Sequence, residues 1–538
     1  MKAIYYTVLV ISILCLLPGM ELVEGASPDG WLMWGQNPQH TGLSPYPIAN
    51  NPLGIMWEMR EEGVYFSSPP SVTADGLIVV AANDADSVNA GKLFALNLTN
   101  GDRKWSLPLV QSVGPVTPAI DANGTIYVTT HPWPFLNNSH LLAVNSNGTL
   151  RWSASISETS LSSPTLSPDG SVYITAPSGK LYSYLPNGTE HWNLTLPGVP
   201  NAMCPSIGNN GTVYVSCNNY AAIAISPDGS VLWAFQTGFG SNQLHETSTP
   251  VIAPNGTIYA ASADRNIYAL WPNGTLKWTF NTGVDYLTWI NGVTLLPNGN
   301  LVCLPGGMNA FENLTCLTAN GQVVWTTLFQ DDDNHPLISG NDGWLVLRTG
   351  WGIKVFDSSG NIIHEIGGIN NLGVGRQPEN GVTVAPGGII LIPDGERFLA
   401  LGVGRPTCLT RMTLKWDGTN VRIEWGPPST NGGSPITHYY VYRFDVGKTF
   451  TSIPSRLELL PYLIATLDGN TTSYLDINPV FGSTYMVRSE NQFGDGDAVG
   501  INYGVEGERS DFIWVIPVLA LVACGATIVI LVNSRRKH

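Results

Sequence analysis

The chain has 538 residues, too many for one ordinary hydrophobic core, so two or more domains are expected. Charged residues make up only 12%, against about a quarter in ordinary globular proteins, while 58 glycines and 38 prolines favour many turns over long solvated helices. A formal net charge of -15 repels phosphate backbones and anionic lipid surfaces, which sets nucleic acid aside as a partner.

At the start, Met1 and Lys2 give a short positive segment, residues 3–17 are almost wholly apolar, and Pro18 and Gly19 break the run. This reads as a secretory signal peptide over residues 1–26, with small residues at Gly25 and Ala26; the competing reading is an uncleaved anchor.

Two marks then repeat along the chain. The first is an Asp/Asn-Gly or Gly-Gly turn between apolar runs, as in AIDANGTIYVT and VIAPNGTIYAA. Its second glycines are Gly76, Gly124, Gly170, Gly211, Gly256, Gly299, Gly343 and Gly388, spaced 48, 46, 41, 45, 43, 44 and 45 residues apart. Such turns need positive φ at their centre, so each copy predicts a β-hairpin. The second mark is Gly-x-x-x-Trp: Gly101/Trp105, Gly148/Trp152, Gly188/Trp192, Gly229/Trp233, Gly274/Trp278 and Gly321/Trp325, with His364 in the Trp place after Gly360. Each unit supplies two hairpins, hence four short strands, and the period is that of one propeller blade. The eighth unit lacks its fourth strand. LGIMW (residues 53–57, ending in Trp57) looks like that missing strand, and pairing it into the last blade closes the ring and removes an exposed edge.

The repeats resemble the pyrroloquinoline quinone (PQQ)-type propeller family, which includes quinoprotein dehydrogenases and the non-enzymatic propellers of outer-membrane protein assembly. ALNLTNGDRKW (residues 95–105) is similar to that family's Trp-docking repeat, with Asn97 and Asn100 departing from it. WLMWGQNPQHTGLS (residues 31–44) is similar to its lead-in. The resemblance covers residues 31–402 and implies an eight-bladed β-propeller. It also implies that Trp57, Trp105, Trp152, Trp192, Trp233, Trp278 and Trp325 pack between blades.

Within the propeller, Cys204/Cys217 and Cys303/Cys316 are each 13 apart and flank hairpins. In an oxidising compartment two local disulfides are expected, with Cys408 left over; the other reading is five buried thiols. Asn-x-Ser/Thr sequons stand at Asn97, Asn123, Asn137, Asn147, Asn187, Asn193, Asn210, Asn255, Asn273, Asn313 and Asn470. They are candidate glycosylation sites, though turn chemistry alone accounts for about half of them.

Residues 406–502 resemble a fibronectin type III domain, a β-sandwich, with Trp425, the PP and NGGSPI turns, the Tyr440/Tyr442 strand and the Tyr485 strand that ends at Asn491/Gly494. A linker, 503–511, leads to residues 512–532, which run without a charge for long enough to cross a bilayer. Arg535, Arg536 and Lys537 in the tail 533–538 place it in the cytoplasm. The expected whole is all-β: propeller, sandwich and one C-terminal transmembrane helix at the cell membrane, with the ectodomain outside.

No catalytic, cofactor-binding or metal-binding residue emerges. A quinoprotein needs Ca²⁺ near its cofactor, and many alcohol-oxidising relatives carry adjacent cysteines, which are missing here. The acidic run Asp331, Asp332 and Asp333 lacks a calcium-loop pattern, and His131, His245 and His335 lack metal-ligand spacing. The expectation is therefore a non-enzymatic surface recognition or scaffold protein without cofactor, binding a protein or glycan. Trp133 and Phe135 in the HPWPFLNN insert are candidate contacts. The alternatives are a PQQ-dependent oxidoreductase and an envelope assembly factor.

Overall fold

The computed structural model describes residues 30–502 apart from 50, 85–89, 115, 133–137, 160–161, 201–203, 238–247, 263, 284–289, 306–311, 330–336, 350–351, 368–380, 408, 445–458 and 497–498. The signal segment, the apolar run 512–532, Asp331–Asp333, His245, His335, Trp133, Phe135, Asn137 and Cys408 lie outside the described residues. Among those described, no helix is long and apolar enough to cross a membrane.

Up to residue 402 the strands form eight successive antiparallel sheets. The second is typical: Ala119–Ile120, Ile126–Thr130, Ser139–Val144 and Leu150–Ile156 pair in chain order. A two-residue strand lies innermost. Two wholly or nearly wholly buried strands follow, and an outer strand alternates between exposed and half-buried positions. That alternation is the period-two signature of a strand with one face on a neighbour and one in water. The first sheet also takes in Gly30–Trp31, paired with Ser71–Thr73, and Val64–Tyr65.

In the eighth sheet Thr383–Ala385, Ile389–Asp394 and Arg397–Gly402 are completed by Gly54–Arg60, from the opposite end of the domain. Gly54 stands opposite Gly402 and Arg60 opposite Arg397. The first and last sheets are thereby joined. Thr383 Oγ1 donates to Pro70 O at 2.8 Å across the same junction, and one apolar cluster unites Val346, Ile390, Phe398 and Phe94 from the seventh, eighth and first sheets. Elsewhere the core lies between consecutive sheets rather than at a single centre, as with Tyr127 and Leu141 against Val172 and Ile174.

Tryptophans bind each sheet to the next. Trp57, Trp105, Trp152, Trp192, Trp233, Trp278 and Trp325 donate Nε1 to the carbonyls of Leu98, Ser146, Pro186, Pro227, Pro272, Ala319 and Ser358, at 2.8–3.2 Å. Each ring lies over the glycine of the following turn. A Cβ on Gly148 would stand 2.6 Å from Trp105 Cδ2, and its φ of +86° disfavours any other residue. The seventh sheet carries His364 in this place, and the sheet it faces has no covalent turn there, because its outer strand comes from the N-terminal side.

Residues 409–502 form a two-layer sandwich. Met412–Trp416, Val421–Trp425 and Ser473–Asp476 make one layer. Leu463–Asp468, His438–Phe444, Thr484–Asn491, Gly494–Asp495 and Val499–Asn502 make the other. Trp425, Tyr439, Val441 and Tyr485 fill the space between them. The sandwich is fastened to the propeller. Ile55 and Arg405 exchange backbone hydrogen bonds at 3.0 and 2.9 Å, Gly404 N donates to Gly432 O at 3.0 Å, and Asn491 Nδ2 donates to Gly404 O at 2.9 Å. Glycine is needed at 432, where a Cβ would lie 2.1 Å from Gly404 O.

Candidate functional site

Two ends of the ring are distinguished by what lies across them. At the end carrying the first hairpin turns, the lead-in, residues 30–49, runs from sheet to sheet over the innermost strands. Ile120 N donates to Leu32 O, Ile207 N to Pro38 O, Ile252 N to Gln39 O, Leu295 N to Thr41 O and Ser339 N to Gly42 O, all at 2.7–3.0 Å. Asp342 Oδ2 then accepts from Ile48 N and Ala49 N at 2.8 and 2.7 Å. The inner strands, two residues long at Ile120, Ile207 and Ile252, leave backbone donors unused toward the axis, and the lead-in satisfies them one sheet at a time.

The segment's own side chains hold it in place. Asn37 is buried, donates to Thr41 Oγ1 at 2.9 Å and accepts from Thr41 N at 3.2 Å. His40 is buried with Nε2 3.2 Å from Thr165 Oγ1, and burial pushes its pKa down to about 3, so the ring is neutral.

Between the lead-in and the turns of the fourth and fifth sheets lies a cleft of about 330 Å³. Its walls are Asn37, Gln39 and Thr41 on one side, Asn209, Asn210 and Tyr214 on the next, and Ile252, Pro254, Asn255 and Pro272 opposite. Gln39 Nε2 is fixed by Ile207 O at 2.9 Å and by Asn209 Oδ1 at 3.2 Å. Asn210 and Asn255 each turn Oδ1 to the backbone N–H of the sequon threonine, Thr212 and Thr257, at 3.1 and 3.0 Å. Among the described residues, the titratable lining group is the Tyr214 phenol, which burial pushes above its ordinary range. The described lining therefore offers amides, hydroxyls and flat apolar surfaces.

The same turn chemistry recurs at Asn147, Asn187 and Asn273, whose Oδ1 atoms accept from Thr149, Thr189 and Thr275. Asn123, Asn147, Asn187, Asn193, Asn210, Asn255, Asn273, Asn313 and Asn470 are exposed, and Asn97 is half-buried.

The expected disulfides are corrected by the strand register. Val302 pairs with Cys316 and Cys303 with Thr315, so the two cysteines are one step out of register and point to opposite faces, into different apolar clusters. Extending the pairing of Ser206 with Tyr214 puts Cys204 opposite Ser216, not Cys217. All four are buried, and burial pushes the thiols of Cys217 and Cys303 to about 12 and that of Cys316 to about 11, which makes these three inert nucleophiles.

The sequence did not single out an ionic cluster between the seventh and eighth sheets. Arg348 is fully buried, donates to Pro393 O and lies 3.7 Å from Asp394 Oδ1. Arg397 Nε donates to Asp394 Oδ2 at 2.6 Å, and Arg397 Nη1 is 3.7 Å from Glu58 Oε2 on the N-terminal strand. An arginine inside the otherwise apolar run LVLRT was the available signal. Among the described residues, no three His, Cys, Asp or Glu side chains come together as a metal site would require. Of the candidate histidines, His131 is buried and its pKa is lowered by burial.

Comparison with known proteins places this architecture. Residues 137–284 match the family model described as outer membrane protein assembly factor BamB. No curated protein matches the chain. Among solved structures, BamB from Moraxella catarrhalis is 17% identical, with 65% of this chain and 99% of that one covered and a TM-score of 0.51. The quinohemoprotein alcohol dehydrogenase of Comamonas testosteroni is 14% identical over 69% and 78%, with a TM-score of 0.51. A europium-containing methanol dehydrogenase is 14% identical over 69% and 90%, with a TM-score of 0.50. At such identities the likeness concerns the fold: the chain carries a PQQ-like β-propeller, a fold shared by an assembly factor and by dehydrogenases.

Proposed function

We propose that this chain is a non-enzymatic recognition protein of the cell surface. In this reading the eight sheets are the blades of one closed propeller, carried on a fibronectin type III-like sandwich. Residues 1–26 direct secretion, 512–532 anchor the chain in the membrane, and the sequon asparagines other than Asn210 and Asn255, which line the cleft, carry glycans. The observation that supports binding over catalysis is the lining of the cleft beside the lead-in. Its described lining has fixed amides and flat proline and aliphatic surfaces, and the titratable group among those residues is a buried phenol. Such a surface suits a neutral, hydroxyl-rich ligand, foremost a glycan, since each hydroxyl both donates and accepts while the ring faces stay apolar.

A quinoprotein oxidoreductase is the second reading, favoured by the fold alone. A quinone bearing several carboxylates calls for cations, yet the buried Arg348 and Arg397 already face Asp394 and Glu58. An envelope assembly factor is the third. Probing an array of neutral oligosaccharides with the protein and with an Asn209→Trp variant, which fills the cleft from an exposed turn, tests the first. Capture that the variant loses is expected; equal capture by both contradicts the assignment of the cleft.

A further inference from the structure

Six large apolar side chains on the described part of the sandwich are substantially exposed, and five of them share one end. Trp416, Leu460, Ile477, Val480 and Phe481 are 46–65% exposed. Trp416 stands opposite Val421, and Val421 opposite Asp476, which leads directly into Ile477. Leu460 precedes the strand whose Leu463 pairs with Tyr442, two residues from Phe444, and Phe444 faces Thr484. This is the end away from the propeller, which is held by Gly404, Asn431 and Asn491 at the other.

The tip formed by residues 477–482 is held in shape. Arg443 Nη1 donates to Asp476 Oδ2 at 2.8 Å and to Asn478 O at 2.6 Å, and Tyr485 OH donates to Asp476 Oδ2 at 2.7 Å. Ser483 N closes the turn on Val480 O at 3.1 Å, helped by Gly482 at φ +86°. A small module that fixes Ile477, Val480 and Phe481 outward, with a tryptophan and a leucine beside them, presents an apolar patch that water does not favour.

The path of the chain indicates what covers it. Asn502 pairs with Thr484, three residues beyond Phe481, so the chain leaves the sandwich beside this tip. Nine residues, 503–511, then precede the charge-free run 512–532, and fully extended they reach about 30 Å. We propose that Trp416, Leu460, Ile477, Val480 and Phe481 bed into the headgroup region of the bilayer in which residues 512–532 are anchored. This rests on the anchor reading above. Aromatic and aliphatic side chains at that depth are a favoured arrangement, and the net charge of -15 selects a zwitterionic rather than an anionic surface. Together with the fastening at Arg405 and Gly432, such contact sets the tilt of the propeller above the membrane.

The full chain in phosphatidylcholine bilayers, labelled at Phe481→Cys with an environment-sensitive fluorophore, tests this. The unsubstituted chain controls for labelling, and Asn147→Cys on the propeller gives the water-side reference. The label at 481 is expected to shift to the blue and to be quenched several-fold by nitroxide-bearing lipid, while the label at 147 does neither. Equal, water-like behaviour at both positions in a chain that floats with the lipid overturns the inference alone. So does a blue-shifted 481 label untouched by lipid quencher, which assigns the tip to a protein partner or a second copy. A chain that does not float with lipid overturns the anchor reading and this inference with it.

Discussion

Trp192 joins two contributions in one side chain: an indole N–H 2.8 Å from Pro227 O, and a ring over Gly229. They separate by substitution. Trp192→Phe keeps most of the ring and loses the hydrogen bond, a loss of about 1 kcal/mol. Trp192→Ala also empties the space, and about 3 kcal/mol is expected. Denaturant unfolding of the two variants checks the ratio. His40 makes the lead-in sensitive to acid. Its folded pKa, about 3, lies below the ordinary 6.5, so only the unfolded chain takes up this proton between those values. The stability it contributes is complete above pH 6.5 and is lost as pH falls toward 3, at up to about 1.4 kcal/mol per pH unit. His131, His140 and His364 are shifted in the same direction and remain in His40→Phe, so that variant also loses stability over the window, but less than the unsubstituted chain by the His40 contribution. Unfolding curves from pH 7 to pH 4 read the difference.

Among elements, the strand that closes the ring matters most. Gly54–Arg60 is held by its ladder to Arg397–Gly402, by Trp57 on the first sheet and by Glu58 in the ionic cluster. Removing Asp394 leaves two arginines buried beside each other, so Asp394→Ala is expected to cost about 3–5 kcal/mol, measured by thermal or denaturant unfolding. Much of this level was legible in the sequence. Asn-Gly and Asp-Gly turns at one spacing mark hairpins because few residues tolerate positive φ, and LGIMW reads as an orphan strand because the last unit lacks one. The cysteines show the limit. Thirteen residues looked right for a cross-strand pair, yet a single step of register sends one side chain to each face, and spacing alone does not carry that parity. The cleft was illegible for a related reason: Gln39, Asn209 and Asn255 lie up to 216 positions apart in the chain, and only ring closure brings the lead-in over the turns.

For the whole molecule, the junction of propeller and sandwich decides whether the two unfold as one. Gly54 leaves room for Gly432, whose Cα would be 2.4 Å from an added Cβ, with Arg405 O at 2.8 Å. Gly54→Val is expected to split a single calorimetric transition into two, because it pries the sandwich from the closing strand while leaving both cores intact; one unchanged transition contradicts a rigid junction. What the molecule does is tested most directly by incubating the purified chain with pyrroloquinoline quinone and Ca²⁺ and recording its absorbance and its dye-linked alcohol oxidation. A binding propeller takes up no quinone and stays inactive. A stoichiometric bound quinone with alcohol oxidation would make this chain an oxidoreductase and overturn the recognition reading.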